Sequence, residues 1–165
     1  MHKDSKTNLR MTKNQKTEIS FLHAGGGCVQ NEYGAYLLIF RNGKWDLPKG
    51  TQENGETLSA TALREVQEEC GLSSLTLGRF IARTIHSYWN VDIIDYETEN
   101  KSKEPVLKKL IFKKTHWYHI FTPGQPQPTP QTEEGIEQCI WCSLDQAKQY
   151  LKESYPSLRW LINRL

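Results

Sequence analysis

Apolar and aromatic residues crowd two early segments, Phe21 to Val29 and Tyr33 to Phe40, separated by the turn-prone Gln30-Asn31-Glu32. Short runs bounded by turn residues predict strands. Asn42-Gly43 then predicts a tight turn. From Thr57 to Cys70 the period changes. Leu63, Val66 and Cys70 recur at helical spacing with Ala60 beside them, which sets Glu65, Glu68 and Glu69 on the opposite side, and Gly71 stands where a left-handed residue would end the helix. Leu75 to His86 predicts further strand, and Asp92 to Pro105 a charged loop without period. Leu107 to Phe121 reads as two strand-like runs parted by a hairpin bend at Lys113-Lys114-Thr115.

Pro123, Pro126, Pro128 and Pro130 exclude helix and sheet, so that stretch predicts an exposed, extended connector. A short strand around Ile140-Trp141 follows. Ser143 and Gln146 then have capping-box spacing, which starts a helix. The last segment, Pro156 to Leu165, sets Leu158, Leu161, Ile162 and Leu165 on one apolar stripe. Strands, a central helix, strands, then helices predict an α+β domain with a mostly mixed sheet between helices.

With 165 residues the chain can bury one ordinary core without disulfide or metal staples. Hydrophobic residues at 37% and charged residues at 24% suit a soluble protein, and no apolar run approaches the ~20 residues of a membrane span. No apolar h-region follows the amino-terminal lysines, so the expected address is cytoplasmic. The formal charge of +2 is unevenly spread. Lys3, Lys6, Arg10, Lys13 and Lys16 against Asp4 give residues 1–17 a charge of 5 − 1 = +4, which leaves 2 − 4 = −2 for residues 18–165. The expectation is a disordered basic tail over 1–17 and a single domain over 18–165, with no DNA or membrane partner. Cys139 and Cys142 lack the second pair or the histidines of a zinc site. Their odd separation in a strand sends them to opposite faces, as structural thiols. His116 and His119, also an odd number apart in a strand, are poor as a joint metal pair.

Without a counter-charge, the three carboxylates of the central helix repel one another. A divalent cation would remove that repulsion, and hard oxygen ligands favour Mg2+ or Mn2+. The preceding residues sharpen the reading. Gly50, five residues, Glu56, seven residues, then Arg64-Glu65-Val66-Gln67-Glu68-Glu69-Cys70-Gly71-Leu72 resembles the Nudix box without a departure over its 23 residues. Trp45-Asp46-Leu47-Pro48-Lys49 resembles the usual entry to that box.

The resemblance implies the Nudix fold, with a loop-helix-loop catalytic motif, and metal-dependent hydrolysis of a phosphoanhydride bond. It implies that Glu65, Glu68 and Glu69 bind metal together with the carbonyl of Lys49 or Gly50. Arg64 would orient Glu65, Glu56 would support the site, and Glu65 or Glu69 would take the proton from water. A glutamate of a later loop serves in some family members, and Glu133, Glu134 and Glu137 are candidates, with Glu134 assigned to the metal.

Substrate contacts are expected from Lys49, Trp45, Tyr88 and Arg83, with Trp89, Trp117 and Tyr118 as further stacking aromatics and Lys108, Lys109, Lys113 and Lys114 as further phosphate cations. Tyr88, Thr115-His116-Trp117-Tyr118, Glu133-Glu134-Gly135 and Trp141-Cys142-Ser143-Leu144 resemble bacterial dinucleoside-polyphosphate hydrolases, which makes dinucleoside polyphosphates the first expectation. The rival substrates are ADP-ribose, oxidised nucleoside triphosphates, diphosphoinositol compounds and RNA 5′ ends. The rival class is a non-catalytic nucleotide-sensing module.

Overall fold

The computed structural model describes residues 17–93 and 106–165. Positions 1–16 of the expected basic tail over 1–17 and positions 94–105 of the expected charged loop lie outside the described residues; Thr17 begins the first strand, and Asp92 and Ile93 belong to a later one. The elements are β1 (Thr17–Asn31), β2 (Tyr36–Arg41), β3 (Lys44–Asp46), β4 (Lys49–Thr51), α1 (Leu58–Cys70), β5 (Thr76–Ile93), β6 (Val106–Thr122), a 3-10 turn (Thr132–Glu134), β7 (Ile136–Cys142), α2 (Leu144–Lys152) and α3 (Pro156–Ile162). The chain divides into two compact units, one of Phe21–His86 with Lys113–Leu165 and one of Met1–Ser20 with Ser87–Phe112. In the described part of the second unit an ion pair joins Lys109 Nζ to Glu18 Oε2 at 3.8 Å.

The strands run in the order β3-β2-β1-β6-β5, with β4 on β1 and β7 on β2. β1 pairs antiparallel with β2 and with β4, and β2 pairs antiparallel with β3 and with β7. Both faces of the first unit's sheet are covered, which is why β2 reads as a continuous apolar run. Its Tyr36 and Leu38 join Trp117, Leu151, Leu161 and Ile162 in one core, while Leu37 and Ile39 join Val66, Ile120 and Ile136 in the other. α2 and α3 close the first core and α1 the second, an α+β architecture. Cys142 lies in the first core and Cys139 packs against the second, on opposite faces as their spacing requires.

Four expectations need correction. The first turn falls later than Gln30-Asn31-Glu32, because the Asn31 side chain accepts the amides of Tyr33 at 3.0 Å and Ala35 at 2.9 Å, so β2 begins at Tyr36. β6 is unbroken: Lys113-Lys114-Thr115 continues the strand, with Ile111, Thr115 and Trp117 buried at alternate positions. The proline stretch is extended but docked. Pro128 is buried, Thr129 N–H donates to Cys70 O at 2.8 Å, Gln131 N–H donates to Glu69 O at 3.2 Å, and Trp141 Nε1 donates to Pro126 O at 2.8 Å. The fourth lies on α1, where Glu65 and Glu69 are buried. The capping box opening α2 forms as spaced, Ser143 N–H donating to Gln146 Oε1 at 2.9 Å and Gln146 N–H donating to Ser143 Oγ at 3.2 Å.

Candidate functional site

α1 starts where Thr57 Oγ1 accepts the Ala60 amide at 3.2 Å and stops at Gly71, whose φ of 67° is the left-handed cap. It lies almost directly on β1. A Cβ on Gly25 would stand 2.5 Å from both Ala62 N and Leu58 O, so only glycine admits the helix this close. On α1 the row Thr61, Glu65, Glu69 is buried beside the row Ala62, Val66, Cys70. Two of the three acidic residues therefore turn inward next to the apolar face, whereas the period had set all three opposite it. Glu68 alone is solvent-facing, its side chain 47% exposed. The inward acids are accommodated by β4, which pairs with β1 at Gly25 and Gly50. Glu65 fills the space over Gly50, where a Cβ would stand 2.0 Å from its carboxylate.

Arg64 organises the acidic groups around it. Its Nε donates to Glu56 Oε1 at 2.7 Å and its Nη2 to Glu56 Oε2 at 3.2 Å, a two-pronged pair. Its Nη1 reaches Glu68 Oε2 at 2.7 Å and Glu65 Oε1 at 2.9 Å, and Nη2 also donates to Thr51 O at 3.1 Å on β4. Glu56 additionally accepts from the Glu53 amide at 3.1 Å and the Thr61 hydroxyl at 2.9 Å. The Arg64 pair, helped by these bonds, pulls the Glu56 carboxyl down to about 2. Glu65 goes the other way: burial raises it, opposed by Arg64 and reinforced by the charges of Glu68 and Glu134.

Glu69 is fully buried with both oxygens engaged. Oε1 takes Arg41 Nη1 at 2.8 Å and Oε2 takes the Lys49 backbone amide at 2.8 Å. Burial lifts its carboxyl to about 7 against the pull of Arg41 and Lys49. Arg41 also lies 3.7 Å from Asp46 Oδ2, which the Lys49 ammonium contacts as well. This second network fixes β4 against α1.

Beside these groups opens a cavity of about 410 Å3, lined by Arg41, Lys49, Gly50, Thr51, Gln52, Glu53, Arg64, Glu65, Glu68, Lys113 and Glu134. Four carboxylates and four cations line it, so their charges sum to 4 − 4 = 0. Of the three later-loop glutamates the structure brings Glu134 to the cavity, on the 3-10 turn, and neither Glu133 nor Glu137 is among the lining residues.

Among the expected substrate contacts Lys49 lines the cavity. Trp45 does not: its ring sits 5.1 Å from Phe40 and 4.8 Å from Tyr150, packed against the α2 side. Arg83 is exposed on β5 and is not a lining residue. Tyr88 belongs to the second unit and is 40% exposed. Arg41 went unread in the sequence, since a single arginine closing a strand carries no signal of a partner 28 residues on.

The donor set fits a hard divalent cation. Glu65, Glu68 and Glu134 offer oxygen only, beside the backbone of Gly50, and no thiol or imidazole is among the lining residues. Among the described residues no three His, Cys, Asp or Glu side chains stand together as a ready metal cage. The Arg64 guanidinium lies between Glu65 and Glu68 and supplies their counter-charge.

A NUDIX domain model matches residues 22–161, and the chain belongs to that family. It is a hydrolase of the pyrophosphohydrolase class. The fold is similar to that of an E. coli dihydroneopterin triphosphate pyrophosphohydrolase (TM-score 0.61, 16% identity, 87% of this chain and 93% of that one). It is similar also to a C. elegans Ap4A hydrolase (0.58, 19%, 87% and 93%) and to a MutT protein from Methanosarcina mazei Go1 (0.56, 22%, 89% and 94%).

Proposed function

We propose that this Nudix hydrolase cleaves a phosphoanhydride bond in a nucleoside diphosphate linked to a further moiety, with dinucleoside polyphosphates as the substrate class. The observation that carries the reading is one cavity lined by Glu65, Glu68 and Glu134 together with Arg41, Lys49 and Lys113. Carboxylates suit the cation that accompanies a polyphosphate, and the cations suit its oxygens. The sequence flanking the box, similar to dinucleoside-polyphosphate hydrolases, supports the substrate class.

Glu65, Glu68, Glu134 and the carbonyl of Lys49 or Gly50 would hold Mg2+ or Mn2+. When bound, such an ion neutralises phosphate oxygens and lowers the pKa of water. Glu69 keeps a free lone pair on each oxygen and would join these carboxylates as a ligand, while its bonds to Arg41 and the Lys49 amide hold β4 in register with α1. Glu65 faces the cavity and is the better placed of the two to accept the proton of the attacking water. Oxygen of that water bonds to phosphorus, the bridging P–O bond breaks, and the leaving phosphate departs with the electron pair. Arg64 keeps Glu65 oriented, and Glu56 keeps Arg64 oriented.

A product-resolved panel tests this reading, with dinucleoside polyphosphates, ADP-ribose, oxidised nucleoside triphosphates, diphosphoinositol compounds and RNA 5′ ends offered with magnesium. Dinucleoside polyphosphates should give the highest kcat/KM. Glu68→Gln, at an exposed position, should reduce it by at least the roughly 10- to 100-fold that losing even an outer partner of a metal costs. Turnover of another class at higher kcat/KM, or undiminished turnover in the variant, refutes it.

A further inference from the structure

Three of the four cations around the cavity are already held by carboxylates: Arg41 by Glu69 and Asp46, Lys49 by Asp46, and Arg64 by Glu56, Glu65 and Glu68. Lys113 differs. It makes no ion pair with any described residue, although it is half-buried and lines the same cavity. Lys49 and Arg41, of its own sign, act on it electrostatically, and Glu65 and Glu69 oppose them. β6 turns it inward, since Lys113 shares strand parity with the buried Ile111, Thr115 and Trp117. A half-buried ammonium without an ion-pair partner of its own is costly unless an anion completes it. Its three donors around a point charge suit a phosphate group.

The geometry points to Lys113 as the residue that receives a substrate phosphate beyond the diphosphate engaged at the carboxylate side, so that it selects for longer phosphate chains. This rests on the reading that the cavity binds polyphosphorylated nucleotides, and it goes further by assigning chain-length preference to one side chain. A longer chain brings one more anionic group toward Lys113. A diphosphate linked to a neutral moiety leaves it unengaged.

Diadenosine di-, tri- and tetraphosphate, with magnesium, form the ladder that tests it, measured on the wild type, Lys113→Met and Lys113→Arg. In Lys113→Met, kcat/KM should fall tenfold or more on the tetraphosphate, chiefly through KM, and less than threefold on the diphosphate. Lys113→Arg should recover most of the loss, because it restores the charge. A uniform loss along the ladder, or no loss anywhere, overturns the assignment. Calorimetric titration of inorganic tripolyphosphate separates this from failure of the substrate reading. If the wild type hydrolyses none of the ladder yet binds tripolyphosphate at least tenfold more tightly than Lys113→Met, the polyphosphate site stands and the dinucleotide reading falls. Equal or absent binding in the two proteins removes the site.

Discussion

Gly50→Ala is the most exacting probe of how the chain places its carboxylates. The new methyl carbon would stand 2.0 Å from both Cδ and Oε2 of Glu65. Non-bonded carbons settle at about 3.5–4.0 Å, so the carboxylate must retreat by roughly 1.5 Å or more. Only the far end of a flexible side chain has to move. The folding cost should therefore be that of an off-rotamer torsion, about 1 kcal/mol. Activity has no such latitude: a misplacement of about 1 Å near the reacting atoms costs on the order of 10²-fold, or about 2.7 kcal/mol of barrier. The expected result is a hundredfold loss in kcat/KM on the best substrate of the panel, with an unfolding temperature within a few degrees of wild type. Activity within threefold of wild type would mean that the position of Glu65 is immaterial to the reaction. Collapse of the fold would mean that the glycine serves the backbone and not the carboxylate.

Two further substitutions probe the supports of the site. Gly25→Ala meets Ala62 N and Leu58 O at 2.5 Å, backbone atoms that cannot swing aside, so urea unfolding should show a loss of about 3 kcal/mol or more; a loss under 1 kcal/mol refutes the close seating of α1 on β1. Arg41→Met leaves the buried Glu69 carboxylate without its cation, which costs about 3–5 kcal/mol where such a pair is broken. The Glu69 carboxyl is already raised to about 7, and a raised acid contributes fully below its unfolded value and loses that contribution as pH rises through the folded one. Thermal melts in chelator should therefore show the Arg41→Met deficit small near pH 5 and largest above pH 7. A deficit that grows toward acid contradicts the ion pair.

α1 was legible in the sequence because its boundaries have local chemistry, Thr57 at one end and Gly71 at the other, and because the spacing between Gly50 and Leu72 fixes the loop before it. The capping box of α2 and the opposed faces of Cys139 and Cys142 were legible for the same reason: each depends on neighbours within a few positions. The inward turn of Glu65 and Glu69 was not. An acid next to an apolar row reads as solvent-facing until Arg41, Arg64 and the Lys49 amide are known to meet it, and those meetings are tertiary. Lys113 was obscured by adjacent charge, since Lys113-Lys114-Thr115 resembles a bend. Carrying the alternation of Ile111, Thr115 and Trp117 through it would have placed the lysine inside. β3 and β4, three residues each, are too short to show any period.

The anchoring of Thr129 and Gln131 on the last carbonyls of α1 gives Glu134 a reference point on the helix itself. Residues 123–125, between β6 and Pro126, then act as slack, and insertions or deletions there should leave the carboxylate geometry untouched. The same change between Gln131 and Glu134 would shift that acid relative to Glu65 and Glu68. Relatives could thus remodel one half of this segment freely while the other half keeps a constant length.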